Sequence, residues 1–403
     1  MSEVFIVVGA GHCAGQVAAS LRQQGFEGEL VIIGEEPYIP YQRPPLSKKF
    51  LTGELSIERV YLRPMKFYQD NKIELLLGNR VVALHPQQRR IALADGSERR
   101  YDKLLLATGS NPKRLHVAGA DLPGIFYLRT IADVQRIRPY LVGGKNLVVI
   151  GGGYIGLEVS AAGVQCGMHV TLLEVADRIL NRVTAPPMSD FFTQLHRECG
   201  VDVRCNARVL RFEGRDRVRG VICDGVRLDA DLVVIGIGIL PNIELAQSAG
   251  LTCGDGIVVD EYCQTADAHI FAAGDCTNHP NPLLQRRLRL ESVQNAVEQG
   301  KVAAANLCGK REPYAEIPWF WSDQYDVKLQ IVGIAEGYDQ VVQRGRMQDH
   351  AFSLFYLRKG ALIAVDAVNS PREYMACRKL IPQRPRIGPE RLANTTIAMH
   401  DMV

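Results

Sequence analysis

Gly9-Ala10-Gly11-His12-Cys13-Ala14-Gly15 and Gly151-Gly152-Gly153-Tyr154-Ile155-Gly156 stand 142 positions apart in a chain of 403 residues. Glycines so spaced suit one task, the close approach of a backbone to a pyrophosphate. The first glycine permits a tight turn, the second admits the phosphates, and a helix starting there offers free N–H groups and its positive dipole end. In the first loop the sixth position is Ala14, followed by Gly15, which matches the G-x-G-x-x-A variant. An acid follows each loop, Glu35 at 26 positions after Gly9 and Glu174 at 23 after Gly151. Both lie near the ~20-residue spacing at which a carboxylate accepts a ribose hydroxyl. Glu174 would also repel a 2′-phosphate, so the second loop is expected to take NAD(H) rather than NADP(H). Arg178 is the nearby cation that speaks for a phosphate.

Glycine spacing alone is weak, and the elements around it carry the inference. Phe5–Val8 is a short β-branched run ahead of the first loop, and Val17, Ala18 and Leu21 recur behind it at helical spacing. Leu30–Ile33 reads as the next strand, leading to Glu35. Leu147–Ile150 and Val170–Leu173 repeat the order around the second loop. Two further apolar runs end in small-residue turns: Leu104-Leu105-Leu106-Ala107-Thr108-Gly109 and Ile270-Phe271-Ala272-Ala273-Gly274-Asp275. In the second, Gly274 lets the backbone lie against a cofactor and Asp275 offers an acceptor for a sugar hydroxyl.

At 403 residues and 47% hydrophobic content the chain is expected to form two or three domains. A net charge of +3 argues against a nucleic-acid binder. The absence of an apolar run of about 18 residues argues against a membrane-spanning helix. The opening Met1-Ser2-Glu3 lacks the basic start of a signal peptide, so a cytoplasmic location is expected. Ten cysteines contain no C-x-x-C pair, so no metal site is expected and most read as small core residues. Cys13 is the one near a helix start, where a thiol can be acidified, although filling space is the commoner use.

Taken in order, the first loop, Tyr41-Gln42-Arg43-Pro44-Pro45-Leu46-Ser47-Lys48, Ala107-Thr108-Gly109, the second loop with Glu158, Gly236-Ile237-Gly238 before Pro241-Asn242, Ala273-Gly274-Asp275, Leu290-Glu291-Ser292-Val293-Gln294-Asn295-Ala296, and Trp319-Phe320-Trp321-Ser322-Asp323-Gln324 span nearly the whole chain. The set resembles the FAD-dependent, NADH-using ferredoxin reductases of bacterial oxygenase systems, those serving aromatic-ring dioxygenases and haem monooxygenases alike. The resemblance implies an α/β chain of glutathione-reductase-like fold: two Rossmann-like dinucleotide-binding domains and a small α+β C-terminal domain. Residues 1–110 and 240–318 would bind FAD, 111–239 NADH, and 319–403 would form the last domain.

It also implies roles. Lys48 and Glu158 would pair near flavin N5, with Trp321 flanking the ring. Gly9, Gly11, Ala14, Gly15, Glu35, Arg43, Pro45, Ala107, Thr108, Gly109, Gly274, Asp275, Glu291, Ser292 and Val293 would hold FAD. Gly151, Gly153, Tyr154, Ile155, Gly156, Glu174, Gly236, Ile237 and Gly238 would hold NADH. Glu291 and Gln294 read as one helical segment whose N-terminal end faces the flavin. Disulfide reductases of this fold carry a C-x-x-x-x-C pair where this chain has Arg43–Lys48. Electrons must then leave the flavin directly, which suits a one-electron acceptor such as a [2Fe–2S] ferredoxin. Arg286, Arg287 and Arg289 offer it a basic rim. Two other readings stay open: a flavoprotein with another acceptor, such as a monodehydroascorbate or quinone reductase, and a redox sensor like apoptosis-inducing factor. The oligomeric state is open between monomer and dimer.

The C-terminal part reads differently. Phe352–Leu357 and Ala361–Val365 flank Arg358-Lys359-Gly360 as a hairpin, a helix is expected over 372–380, and the proline-rich 382–389 is expected to run extended.

Overall fold

A computed structural model describes residues 2–402, so Met1 and Val403, with the part of the signal-peptide reading that rests on Met1, lie outside the described residues. The chain divides into two compact units. One comprises the chain up to Arg43, Ser56–Asn111 and Ile239–Glu316; the other comprises Pro44–Leu55, Pro112–Gly238 and the chain from Ile317 on.

The first unit is built on a five-stranded parallel sheet in the order Ile270–Ala272, Lys103–Leu106, Val4–Val8, Glu29–Gly34, Ile73–Leu77. Successive side chains leave a strand on opposite faces. Phe5, Val7, Leu30, Ile32, Leu105 and Phe271 accordingly join one core with the helices His12–Gln23 and Val293–Leu307. Ile6, Val8, Val31, Ile33, Leu104 and Leu106 join a second core on the other face. Burial on both faces explains why these strands are unbroken apolar runs in the sequence.

The second unit repeats the plan with Val201–Arg204, His169–Leu173, Asn146–Ile150, Leu232–Ile235 and Ile125–Tyr127 in parallel order. It also holds a five-stranded antiparallel sheet in the order Trp319–Gln324, Val327–Gly333, Ala361–Val368, Ala351–Arg358, Gln340–Arg346. The expected hairpin is there, turned by Lys359 and Gly360, both at positive φ. The expected helix runs over Pro371–Leu380. The tail departs from a free extended run: the Leu362 N–H bonds the Pro385 carbonyl, Ile387 is buried, and Pro389–Ala393 is helical. The tail thus pairs with the start of the strand Ala361–Val368, where Ala361 bridges Arg386.

Candidate functional site

The two glycine loops fold the same way. Gly9 and Gly151 sit at φ +113° and +109°, and a Cβ on either would strike a carbonyl of a neighbouring strand's end, that of Ala107 or Gly236. Gly11 and Gly153 have nothing within 4 Å of an added Cβ, leaving the backbone open to a ligand. Each caps a helix, His12–Gln23 or Tyr154–Gln165, whose N-terminus has no side-chain cap and no acid in its first turn. Uncapped N–H groups beside an open glycine are a ready anion site. The donor sets fit dinucleotides on these observations. Gly15 serves packing, its Cα facing Pro40 and Leu62 closely enough that a methyl would crowd them.

In the first unit, the Ala107-Thr108-Gly109 turn is clamped by Asn242. Thr108 Oγ1 donates to the Asn242 carbonyl at 2.7 Å and Asn242 Nδ2 donates to the Thr108 carbonyl at 2.9 Å. Gly274, at φ +88°, packs against Cys13, so the cysteine fills space. Burial, with Cys276, Cys263 and Asp275 nearby, pushes its thiol well above the ordinary range. The helix start does not acidify it. Gln299, which the sequence reading missed, holds the same turn: its Oε1 accepts from Gly274 N at 2.7 Å and Thr277 Oγ1 at 3.0 Å. Ser110 donates to Asp275 at 3.1 Å, and Arg43 pairs with Glu36 at 3.0 Å. Glu35 is exposed, 3.8 Å from Arg80. The helical segment expected to include Glu291 starts later, at Val293, because Ser292 caps it by accepting from Asn295 N at 3.0 Å. Glu291 lies ahead of that cap and pairs with Arg289. Arg289 also binds Asp255 at 2.7 Å, and Arg287 donates to Asn278 and to the Val259 carbonyl, both at 2.7 Å. Two cations of the basic run are thus engaged within the unit.

In the second unit, Glu174 is held before any ligand arrives. Its Oε2 accepts from Gly152 N at 2.6 Å and its Oε1 from Ala176 N at 2.8 Å. Arg178, the possible phosphate partner, is consumed by the Thr184 and Asn181 carbonyls and by Ser189 Oγ at 2.6 Å. Val175, 70% exposed beside Glu174, and Ile155 in the first helical turn are apolar side chains left at the surface of this loop, a feature no spacing signalled. Gly236 N bonds the Ile150 carbonyl, and Gly238, at φ +103°, adjoins Lys113 and Arg182.

Pro45, Lys48 and Trp321 belong to this unit too. The turn Pro44–Ser47 brings Ser47 and Lys48 to Glu158, whose side chain is 3% exposed. Lys48 Nζ lies 2.7 Å from Glu158 Oε2, Ser47 Oγ donates to the same oxygen, and Ser322 Oγ donates to Oε1 at 2.6 Å. Arg138 fixes the turn by donating to the Phe50 carbonyl. The match of strand to helix follows from repeat lengths. Tyr154 and Glu158 lie one helical turn apart on one face, and Phe320 and Ser322 lie one strand repeat apart on one face. The spacings, about 6 and 6.7 Å, nearly coincide. Phe320 therefore meets the Tyr154 ring at 4.7 Å while Ser322 meets Glu158. The Tyr154 hydroxyl is buried, which drives its pKa well up, so toward a ligand this residue offers its backbone. Trp321, on the opposite strand face, lies 5.9 Å from the Trp319 ring and is partly exposed. Among the described residues no group of three or more His, Cys, Asp or Glu side chains could hold a metal, and no helix is long and apolar enough to cross a membrane.

Two glycine cradles, each with an acid beyond it, define a protein built to hold two dinucleotides, and its second unit carries the Lys48–Glu158 ion pair. The comparisons agree: the pyridine nucleotide-disulphide oxidoreductase model matches residues 4–300 and a reductase C-terminal model matches 319–403. The chain is 44% identical over 405 residues to putidaredoxin reductase of Pseudomonas putida, covering 99% of this chain and 96% of that one. It is 42% identical to the ferredoxin–NAD(+) reductase component of the anthranilate 1,2-dioxygenase system of Burkholderia cepacia, over 99% and 98% of the two chains. Its fold matches the reductase in a covalent putidaredoxin reductase–putidaredoxin complex at a TM-score of 0.96 and 43% identity, over 99% and 98%. The chain therefore belongs to the pyridine nucleotide-disulphide oxidoreductase family, among its putidaredoxin-reductase-like ferredoxin reductases.

Proposed function

We propose that this protein passes electrons from NADH through FAD to a [2Fe–2S] ferredoxin that feeds an oxygenase, a ring dioxygenase or a haem monooxygenase, in the cytoplasm. The observation that carries it is the segment Arg43–Lys48, which has no cysteine where disulfide reductases of this fold carry their pair and which brings Lys48 to Glu158 at 2.7 Å. FAD, when bound, takes two electrons from the nicotinamide and releases them singly. The chain's part is to bind, orient and neutralise. Residues 1–110 and 240–318 form the FAD domain through Gly9, Gly11, Ala14, Glu35, Arg43, the Ala107–Gly109 turn and Gly274-Asp275. Residues 111–239 bind NADH through Gly151, Gly153, Gly156 and Glu174, and 319–403 form the third domain. With both carboxylate oxygens of Glu174 already on backbone N–H groups and Arg178 engaged elsewhere, NADH is favoured over NADPH. Lys48, 2.7 Å from Glu158, would put a positive charge where negative charge develops, and Trp321 would flank the ring. The relatives named above are a putidaredoxin reductase and the ferredoxin–NAD(+) reductase component of an anthranilate 1,2-dioxygenase system, which supports a ferredoxin as acceptor. The test is NADH-dependent reduction of cytochrome c with and without an added [2Fe–2S] ferredoxin. The expected rate depends on ferredoxin, and an equal rate without it would contradict the proposal.

A further inference from the structure

Glu158 ends a line of hydrogen bonds that crosses three elements of the second unit. Ser322 Oγ lies 2.6 Å from Glu158 Oε1, and Gln324 Nε2 lies 3.1 Å from Ser322 Oγ. Gln324 Oε1 lies 2.8 Å from Nε2 of His196, a residue of the helix Pro186–Glu198, and Tyr325 OH lies 3.1 Å from His196 Nδ1. Only one arrangement of protons gives Glu158 its donor. If Ser322 donates to the carboxylate, its oxygen accepts from the Gln324 amide nitrogen, and Gln324 Oε1 then needs a donor from His196 Nε2. Nδ1 is left to accept from Tyr325. The opposite tautomer reverses every bond and turns a serine lone pair toward a carboxylate. A charge-assisted bond at one end therefore orders the whole line.

We infer that His196 and Gln324 are positioning residues for the Lys48–Glu158 pair. The directed line commits Oε1 to Ser322 and leaves Oε2 to Ser47 and Lys48, so the ammonium has one place to sit. Burial lowers the His196 pKa and keeps the ring neutral, as the line requires. The titratable groups against the line are Lys48 and Tyr154 beside Glu158, and Tyr325 and Cys199 beside His196, with Asp326 and Glu198 near Cys199. The inference rests on the proposed role of Lys48–Glu158, and its test separates the two.

In 15N-histidine-labelled holoenzyme, with His196→Asn used to assign the signal, His196 is expected as the neutral Nε2–H tautomer from pH 6 to 8. The Nδ1–H tautomer or an imidazolium would overturn the inference. In rapid-mixing measurements at saturating NADH, Ser322→Ala is expected to slow flavin reduction roughly tenfold with NADH affinity unchanged. Gln324→Leu and Tyr325→Phe should slow the same step by less, again with NADH affinity unchanged, and Ser322→Thr should restore the rate. Wild-type rates in both Ser322→Ala and Gln324→Leu would sink the idea, and if Gln324→Leu does not fold, Tyr325→Phe decides in its place. A wild-type enzyme that NADH does not reduce would instead defeat the functional proposal while leaving the tautomer result standing.

Discussion

Lys48 and Glu158 pair at a point where the glutamate side chain is almost closed off from water. Removing only the lysine leaves a carboxylate whose side chain is 3% exposed with two serine donors and no counter-charge. Breaking a buried pair in this way costs about 3 kcal/mol or more. Lys48→Met is thus expected to melt well below the parent at pH 8. Equal melting temperatures at pH 8 would mean that the pair carries no weight. Glu174 is a second single-residue test. Glu174→Ala strips acceptors from Gly152 and Ala176 and removes the proposed ribose partner, so kcat/KM for NADH should fall by about 10- to 100-fold. Because Arg178 is engaged by Thr184, Asn181 and Ser189, activity with NADPH should not rise in exchange.

At the scale of elements, the strands and the cradles were legible because their signals are local. A run such as Phe5–Val8 before glycines, or Lys359-Gly360 between alternating strands, specifies its own backbone. The pair Lys48–Glu158 was reachable through resemblance alone. Its supports were not reachable, since Ser47, His196, and Ser322 with Gln324 on one strand, come from three distant segments with no spacing between them. One hint was present: Ser322 and Gln324 occupy the same face of a strand as Phe320, and polar side chains on a buried face require partners. Helix starts misled for a physical reason as well, because Ser292, not the charged Glu291, has the short hydroxyl that reaches back to cap. The C-terminal sheet carries its own buried acid. Asp366 accepts from Tyr356 OH, and burial raises its pKa to about 7. A carboxyl raised on folding contributes stability that is intact below its unfolded value near 4 and is lost as pH rises through about 7. Asp366→Asn should therefore gain melting temperature relative to the parent as pH climbs from 5 to 8. A constant difference across that range would show that Asp366 does not titrate there.

On the scale of the whole molecule, the overall charge of +3 is too small to steer a partner by itself, so any steering must come from local arrangement. Arg286, exposed at the start of the strand Arg286–Leu288, is the residue of that run with which to probe an acidic ferredoxin. Arg286→Glu is expected to raise the KM for ferredoxin several-fold at low ionic strength, with the difference fading toward 0.5 M salt as charges are screened. An unchanged KM at low salt would move docking elsewhere. The central claim, that electrons enter from NADH and leave singly without a dithiol, is tested most directly by anaerobic mixing. Purified holoenzyme is reduced with one equivalent of NADH, the flavin absorbance is followed, and a [2Fe–2S] ferredoxin is then added. Rapid bleaching, followed by flavin reoxidation with two ferredoxins reduced per flavin, is the expected result. A flavin that bleaches and then stays reduced beside the ferredoxin would contradict it.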